Sequence, residues 1–167
     1  MTRLLTPLTL LSILFAGAIF GFFYAWVCST MWGLDATDPR IAIAAMQAMN
    51  ASVRNPIFFP AFFLTPAVLG LTAIAAYASG NRAAAAWFGL GGGVYLLFGI
   101  ILTAAVNVPM NEALALVPVP EDTEAATAIW RDYSAPWQFW NTVRTIASGA
   151  ALLFASLGAM AVGRASR

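Results

Sequence analysis

The chain has 167 residues, 61% of them hydrophobic and 9% charged, against about 25% charged in an ordinary soluble domain. That is a membrane composition, and one domain accounts for its length. The chain has no histidine and one cysteine, Cys28, which excludes histidine-ligated metal and haem centres and an internal disulfide; the net charge of +1 says little about partners, and no basic run suggests nucleic acid.

The first apolar run, within "TPLTLLSILFAGAIFGFFYAWVCST", is too long for a signal-peptide core. It ends in Phe22, Phe23, Tyr24 and Trp26, where a cleavage site needs small residues. The expectation is a retained span over about 7–30. "LDATDPRIAIAAMQAMNASVRNP" follows, with Asp38 as N-cap, Pro39 at the first helical position and Ile41, Ala45, Met49 and Val53 at helical spacing. A second span is predicted over 56–78, kinked at Pro66. The short link "SGNRA" makes the third span, about 83–106, its antiparallel neighbour. In "VPEDTEAATAIWRDYSAP" the acids Glu121, Asp122 and Glu124 mark a helix start. That helix is expected to stop near Tyr133, before Pro136, and a fourth span to occupy 137–162.

The fold class is therefore all-α: a four-helix integral membrane bundle in one domain, capped by 31–55 and 107–136. Strands are excluded because an open strand cannot satisfy its backbone in lipid. Gly89 and Gly93, four apart in "GLGGGVYLLFG", and the small residues of "ASGAALLFASLGAMA" offer packing faces, within one bundle or in a homo-oligomer. All seven acids lie in the two long connections, whereas Arg3, Arg82, Arg164 and Arg167 occupy the termini and the short link. The positive-inside rule then puts both termini in the cytoplasm, in the cytoplasmic (inner) membrane, with the cap outside.

Polar residues inside this scheme mark the candidate site. Trp137, Trp140, Asn141 and Arg144 stand at helical spacing on one stripe of the fourth span. Arg144 lies roughly 10 Å below Trp137. It either snorkels to the outer headgroups or faces inward to a polar pocket. Asn107 and Asn111, four apart with Glu112 adjacent, end the third span. Asn50 and Arg54, also four apart, precede the second, and Tyr24 is near the outer end of the first. Four spans bring all these ends to one membrane face, whichever side that is.

"GFFYAWVCSTMWGL", "AMQAMNASVRNPIFF", "VNVPMNEAL" and "PWQFWNTVRTIAS" together resemble the anthrone oxygenase-like membrane family, the DUF1772 domain, over nearly the whole chain. The resemblance implies a four-helix membrane bundle and, as in some fungal members, oxidation of an anthrone to an anthraquinone by molecular oxygen without metal or flavin. The polar motifs of that family correspond here to Asn107 and Asn111, and to Trp137, Trp140, Asn141 and Arg144.

The expected partners are a lipophilic aromatic small molecule and the bilayer. Trp137 and Trp140 would stack on a flat ring, with Tyr24, Arg54 and Asn50 contributing to its binding. Arg144, Asn141, Asn107 and Asn111 would stabilise an oxyanion, and Glu112 or Asp132 would act as base in the absence of histidine. No cofactor and no metal is expected, since there is no C-x-x-C and no dinucleotide fingerprint. The alternative is a non-catalytic binding or accessory subunit for a quinone-like ligand.

Overall fold

A computed structural model describes residues 2–165, with side chains from Leu4 onward. Arg3 and Arg167, used in the charge count, fall outside the described side chains. All regular structure among the described residues is helical. Helix α1 (Thr2–Ala25) runs through a π-helical turn, Trp26–Thr30, into α2 (Met31–Asp35). α3 (Pro39–Ser52) and α4 (Phe58–Ala78) follow. α5 (Arg82–Tyr95) continues through two π-helical turns, Leu96–Ile101 and Thr103–Asn107, into α6 (Val108–Ala115), and α7 spans Thr123–Ala165. The four continuous rods so formed are long and apolar enough to cross a membrane.

The rods form a four-helix bundle in which α1 and α5 each pack against both α4 and α7. α4 ends at Gly80, whose φ of 81° is the left-handed conformation glycine adopts without penalty. Asn81 then caps α5, its Oδ1 accepting from the Ala84 N–H at 3.0 Å, while its Nδ2 donates to the Ala161 carbonyl of α7 at 3.0 Å. Deep in the bundle the Ser12 and Thr72 hydroxyls bond at 2.8 Å, a polar contact between α1 and α4 of the kind that joins helices in lipid. Pro66 has no N–H to offer the carbonyl of Phe62. The Tyr95 hydroxyl of α5 donates to that carbonyl instead, at 3.1 Å.

α2, α3, α6 and the start of α7 form the cap around Met31, Ile43, Met46, Leu114, Trp130 and Tyr133. Asp35 ties α2 to α7, accepting from Trp130 Nε1 at 2.9 Å, Ser134 Oγ at 2.7 Å and Gln138 Nε2 at 2.8 Å. Gln47 ties α3 to the end of α6 through the Leu114 and Val117 carbonyls, both at 2.8 Å. Asp38 caps α3 as expected, accepting from the Arg40 N–H at 2.9 Å. The Arg40 guanidinium bonded to it holds its carboxyl down at about 2, so the cap stays ionised until the pH falls through that value.

Three sequence expectations change. α7 does not stop before Pro136; the expected cap helix and fourth span are one helix of 43 residues, roughly 65 Å long. The carbonyl that Pro136 leaves unpaired belongs to Asp132, an exposed residue, so water can satisfy it. The first and third rods likewise run past 30 and 106 into the cap. The close approaches of α5 are not at Gly89 and Gly93, which are exposed. A Cβ on Gly91 would lie 3.2 Å from the Ala151 carbonyl oxygen of α7, and one on Gly92 3.3 Å from Leu69 Cβ of α4. α5 is wedged between two helices, so adjacent glycines serve opposite flanks.

Gly92→Leu is therefore expected to lower the thermal midpoint of the purified protein by several degrees. Gly93→Leu, with nothing within 4 Å of its built Cβ, leaves the midpoint in place. A thermal-shift assay in detergent distinguishes them.

Candidate functional site

At the cap end of the bundle a cavity of about 330 Å³ lies between α1, α3, α4, α6 and α7. Among the groups lining it is Arg144, which faces inward and is 5% exposed. Its Nη1 donates to Thr103 Oγ1 at 3.2 Å and its Nη2 to Asn141 Oδ1 at 2.9 Å. The guanidinium carbon is 4.7 Å from the Phe23 ring centroid and 5.3 Å from that of Trp137, a cation–π contact with each. Nε has no hydrogen-bond partner, and among the described residues no carboxylate lies within ion-pair distance. The cavity therefore has a buried positive charge that the protein leaves unneutralised.

The neighbours of Arg144 are held in turn. Asn141 donates from Nδ2 to the Phe23 carbonyl at 3.2 Å, so this amide fixes the guanidinium and binds α7 to α1. Asn111 Oδ1 accepts from Tyr133 Oη at 2.8 Å and Trp137 Nε1 at 2.9 Å. Two donors on one oxygen orient the amide and leave its N–H groups for a guest in the cavity it lines. Asn50 Nδ2 reaches Tyr133 Oη at 3.4 Å, linking α3 to the same network.

The π-helical turns account for the α5 side. Thr103 and Asn111 are eight residues apart. An ordinary helix would rotate them roughly 80° from one another. The wider π turn at Thr103–Asn107 absorbs much of that rotation, and both residues line the cavity.

Of the residues the sequence singles out, Arg144, Asn141, Asn111, Glu112, Trp137, Arg54 and Asn50 line this cavity. Glu112 and Arg54 sit at its aqueous edge, paired at 3.6 Å with both side chains more than half exposed. Asn107 is fully buried behind the wall, and neither atom of its amide has a hydrogen-bond partner. Tyr24 and Trp140 are not in the lining. Tyr24 is 51% exposed and packs on Phe20, because one helical step, about 100°, separates it from inward-facing Phe23. Trp140 lies on the far edge of its stripe, against Phe139. Asp132 is exposed beside Arg131, away from the cavity.

Sequence reasoning missed Thr103, Phe23 and the aromatic wall of Phe22, Trp26, Phe58, Phe59, Phe62 and Phe63. A phenylalanine on an apolar span reads as lipid-facing. The available signal was the N-terminal "FF…FF" of α4 lying level with Arg144.

A family model described as anthrone oxygenase matches residues 54–154, more than half of the chain. No curated protein and no solved structure matches.

Asn141→Leu removes an acceptor from a buried cation and is expected to cost roughly 2–3 kcal/mol of stability. Thr103→Val, which leaves Asn141 in place and removes the longer bond of the two, at 3.2 Å, is expected to cost less, about 1.5 kcal/mol. Denaturant titration in mixed micelles gives the order.

Proposed function

The chain belongs to the anthrone oxygenase family, and we propose that it is a membrane-embedded oxygenase acting on a lipophilic phenol, anthrone or quinol, with the electrons supplied by the substrate's own anion. One observation carries the proposal: the Arg144 guanidinium, unpaired with any acid among the described residues, faces a mostly apolar cavity rich in aromatic rings. Such a site favours a flat apolar body with one oxygen that becomes negative.

For an anthrone the chemistry balances as follows. A base removes a proton from the methylene carbon, and the resulting charge resides largely on the ring oxygen, where Arg144 and the Asn111 amide stabilise it. The electron-rich carbon passes electrons to molecular oxygen and forms a C–O bond, giving a hydroperoxide once protonated. Loss of water, with cleavage of the O–O bond and departure of the remaining C–H proton, leaves the quinone carbonyl. One oxygen atom of O2 enters the product and the other leaves as water. Trp137 and the phenylalanine wall hold the rings. Asn141 is a positioning residue, because its oxygen and one N–H already serve Arg144 and the Phe23 carbonyl. Glu112 is the carboxylate in the cavity lining and takes the role of base.

A second reading, binding of a quinone-like ligand without turnover, draws support from Glu112 itself, whose carboxylate faces Arg54 and water at the edge of the cavity. The topology belongs to the same proposal: both termini in the cytoplasm, and the cavity on the outer side of the cytoplasmic membrane.

Purified protein given emodin anthrone and oxygen is expected to form quinone above the spontaneous rate. Arg144→Leu should lose on the order of 100-fold in kcat, the effect of removing an oxyanion donor, and more than Arg54→Leu. Quinone formation no faster than the spontaneous background would leave only the binding reading. For topology, a reporter active only outside the cytoplasm should work when inserted at 117–120 and fail when fused after Ala165; the reverse pattern would invert the orientation.

A further inference from the structure

Phe59 and Phe63 occupy an unusual position. Both line the cavity, yet they are 40% and 52% exposed. They lie in the first two turns of α4, a membrane-crossing helix, so the outer surface they share is the lipid surface. A ring that is at once cavity wall and lipid face stands at an opening between the two.

The packing of α4 and α5 sets the lower limit of that opening. Gly92 meets Leu69 and the Pro66 carbonyl, and one turn nearer the cap the buried Tyr95 hydroxyl reaches the Phe62 carbonyl at 3.1 Å, so the helices are joined up to that level. Above it α5 is π-helical, and its residue in the cavity wall is Thr103, which holds Arg144. The aqueous edge is different: there the Arg54–Glu112 pair bridges the end of α3 to α6 at 3.6 Å. A flat lipophilic phenol partitions into the headgroup–acyl boundary, as amphipathic aromatic groups do. The first two turns of a spanning α4 would lie at that depth.

We infer that the cavity is loaded sideways from the membrane, through the gap between the first turns of α4 and the π-helical stretch of α5, and that Phe63 sets the width of ring that passes. The inference rests on the site reading above and adds its route and its size filter. The guest leads with its oxygen toward Arg144, and its apolar end trails between α4 and α5. The site therefore suits aromatic ligands already dissolved in the bilayer, including ones with an apolar substituent opposite the oxygen. Quinone product returns to lipid by the same path.

The test uses a stable anthraquinone, emodin, as the probe, so that it does not depend on turnover. Association and dissociation with the full chain in lipid nanodiscs are followed by quenching of tryptophan fluorescence. Phe63→Trp is expected to slow both rates about tenfold while shifting Kd less than threefold, the signature of a narrowed passage. Leu64→Trp, on the neighbouring lipid-facing position (49% exposed) and outside the cavity lining, is expected to leave both rates unchanged. Equal rates for wild type and Phe63→Trp, or equal slowing by both variants, would overturn the lateral route while leaving the site reading intact. Failure of emodin to bind the wild type would remove the site reading, and the route with it.

Discussion

The upper half of the molecule is organised by one electrostatic constraint: a guanidinium inside a membrane bundle, with no acid among the described residues to neutralise it. Desolvating an ion costs several kcal/mol even after relaxation. Hydrogen bonds to a charged group return about 1.5–3 kcal/mol each, and a desolvated cation–π contact about 2 kcal/mol. Arg144 collects two such hydrogen bonds and two aromatic faces. These keep the side chain in place but bring no negative charge, and so the inner end of the cavity stays electropositive. The same contacts join α1, α5 and α7, since Phe23, Thr103 and Asn141 come from three different helices.

What the sequence made legible followed from two short-range rules. Four apolar runs of spanning length determined the bundle and brought their polar ends to one face. Helical spacing then put Trp137, Asn141 and Arg144 on one stripe, and the cost of exposing such a stripe to lipid argued for an inward orientation. Asp38 before Pro39 was equally readable, because an N-cap is a local arrangement of a few atoms.

What stayed hidden depended on rotation and on neighbours. In "GFFYAW" each residue turns the helix by about 100°, and only the packing against α7 decides that Phe23 faces inward while Tyr24 does not. The π turns have no residue signature, so the alignment of Thr103 with Asn111 could not be foreseen. Pro136 looked like a stop because the rule for prolines assumes that the lost hydrogen bond is expensive; on a water-facing turn it is not. Pro66 shows the same principle within lipid, where the Tyr95 hydroxyl from the next helix supplies the missing donor. Gly91 and Gly92 were hidden behind the more familiar four-residue spacing of Gly89 and Gly93, because the sequence cannot show that α5 is clasped from both sides.

The unbroken length of α7 has a mechanical consequence. Its shaft passes from the cap, where Trp130 and Ser134 grip Asp35, down past Asn141 and Arg144 to the far end of the bundle. Pro136 removes one rung of the hydrogen-bond ladder between those points, so the helix is softest just above the charge. The cap and the membrane-embedded half are thus one continuous piece of backbone, joined at its most pliable turn.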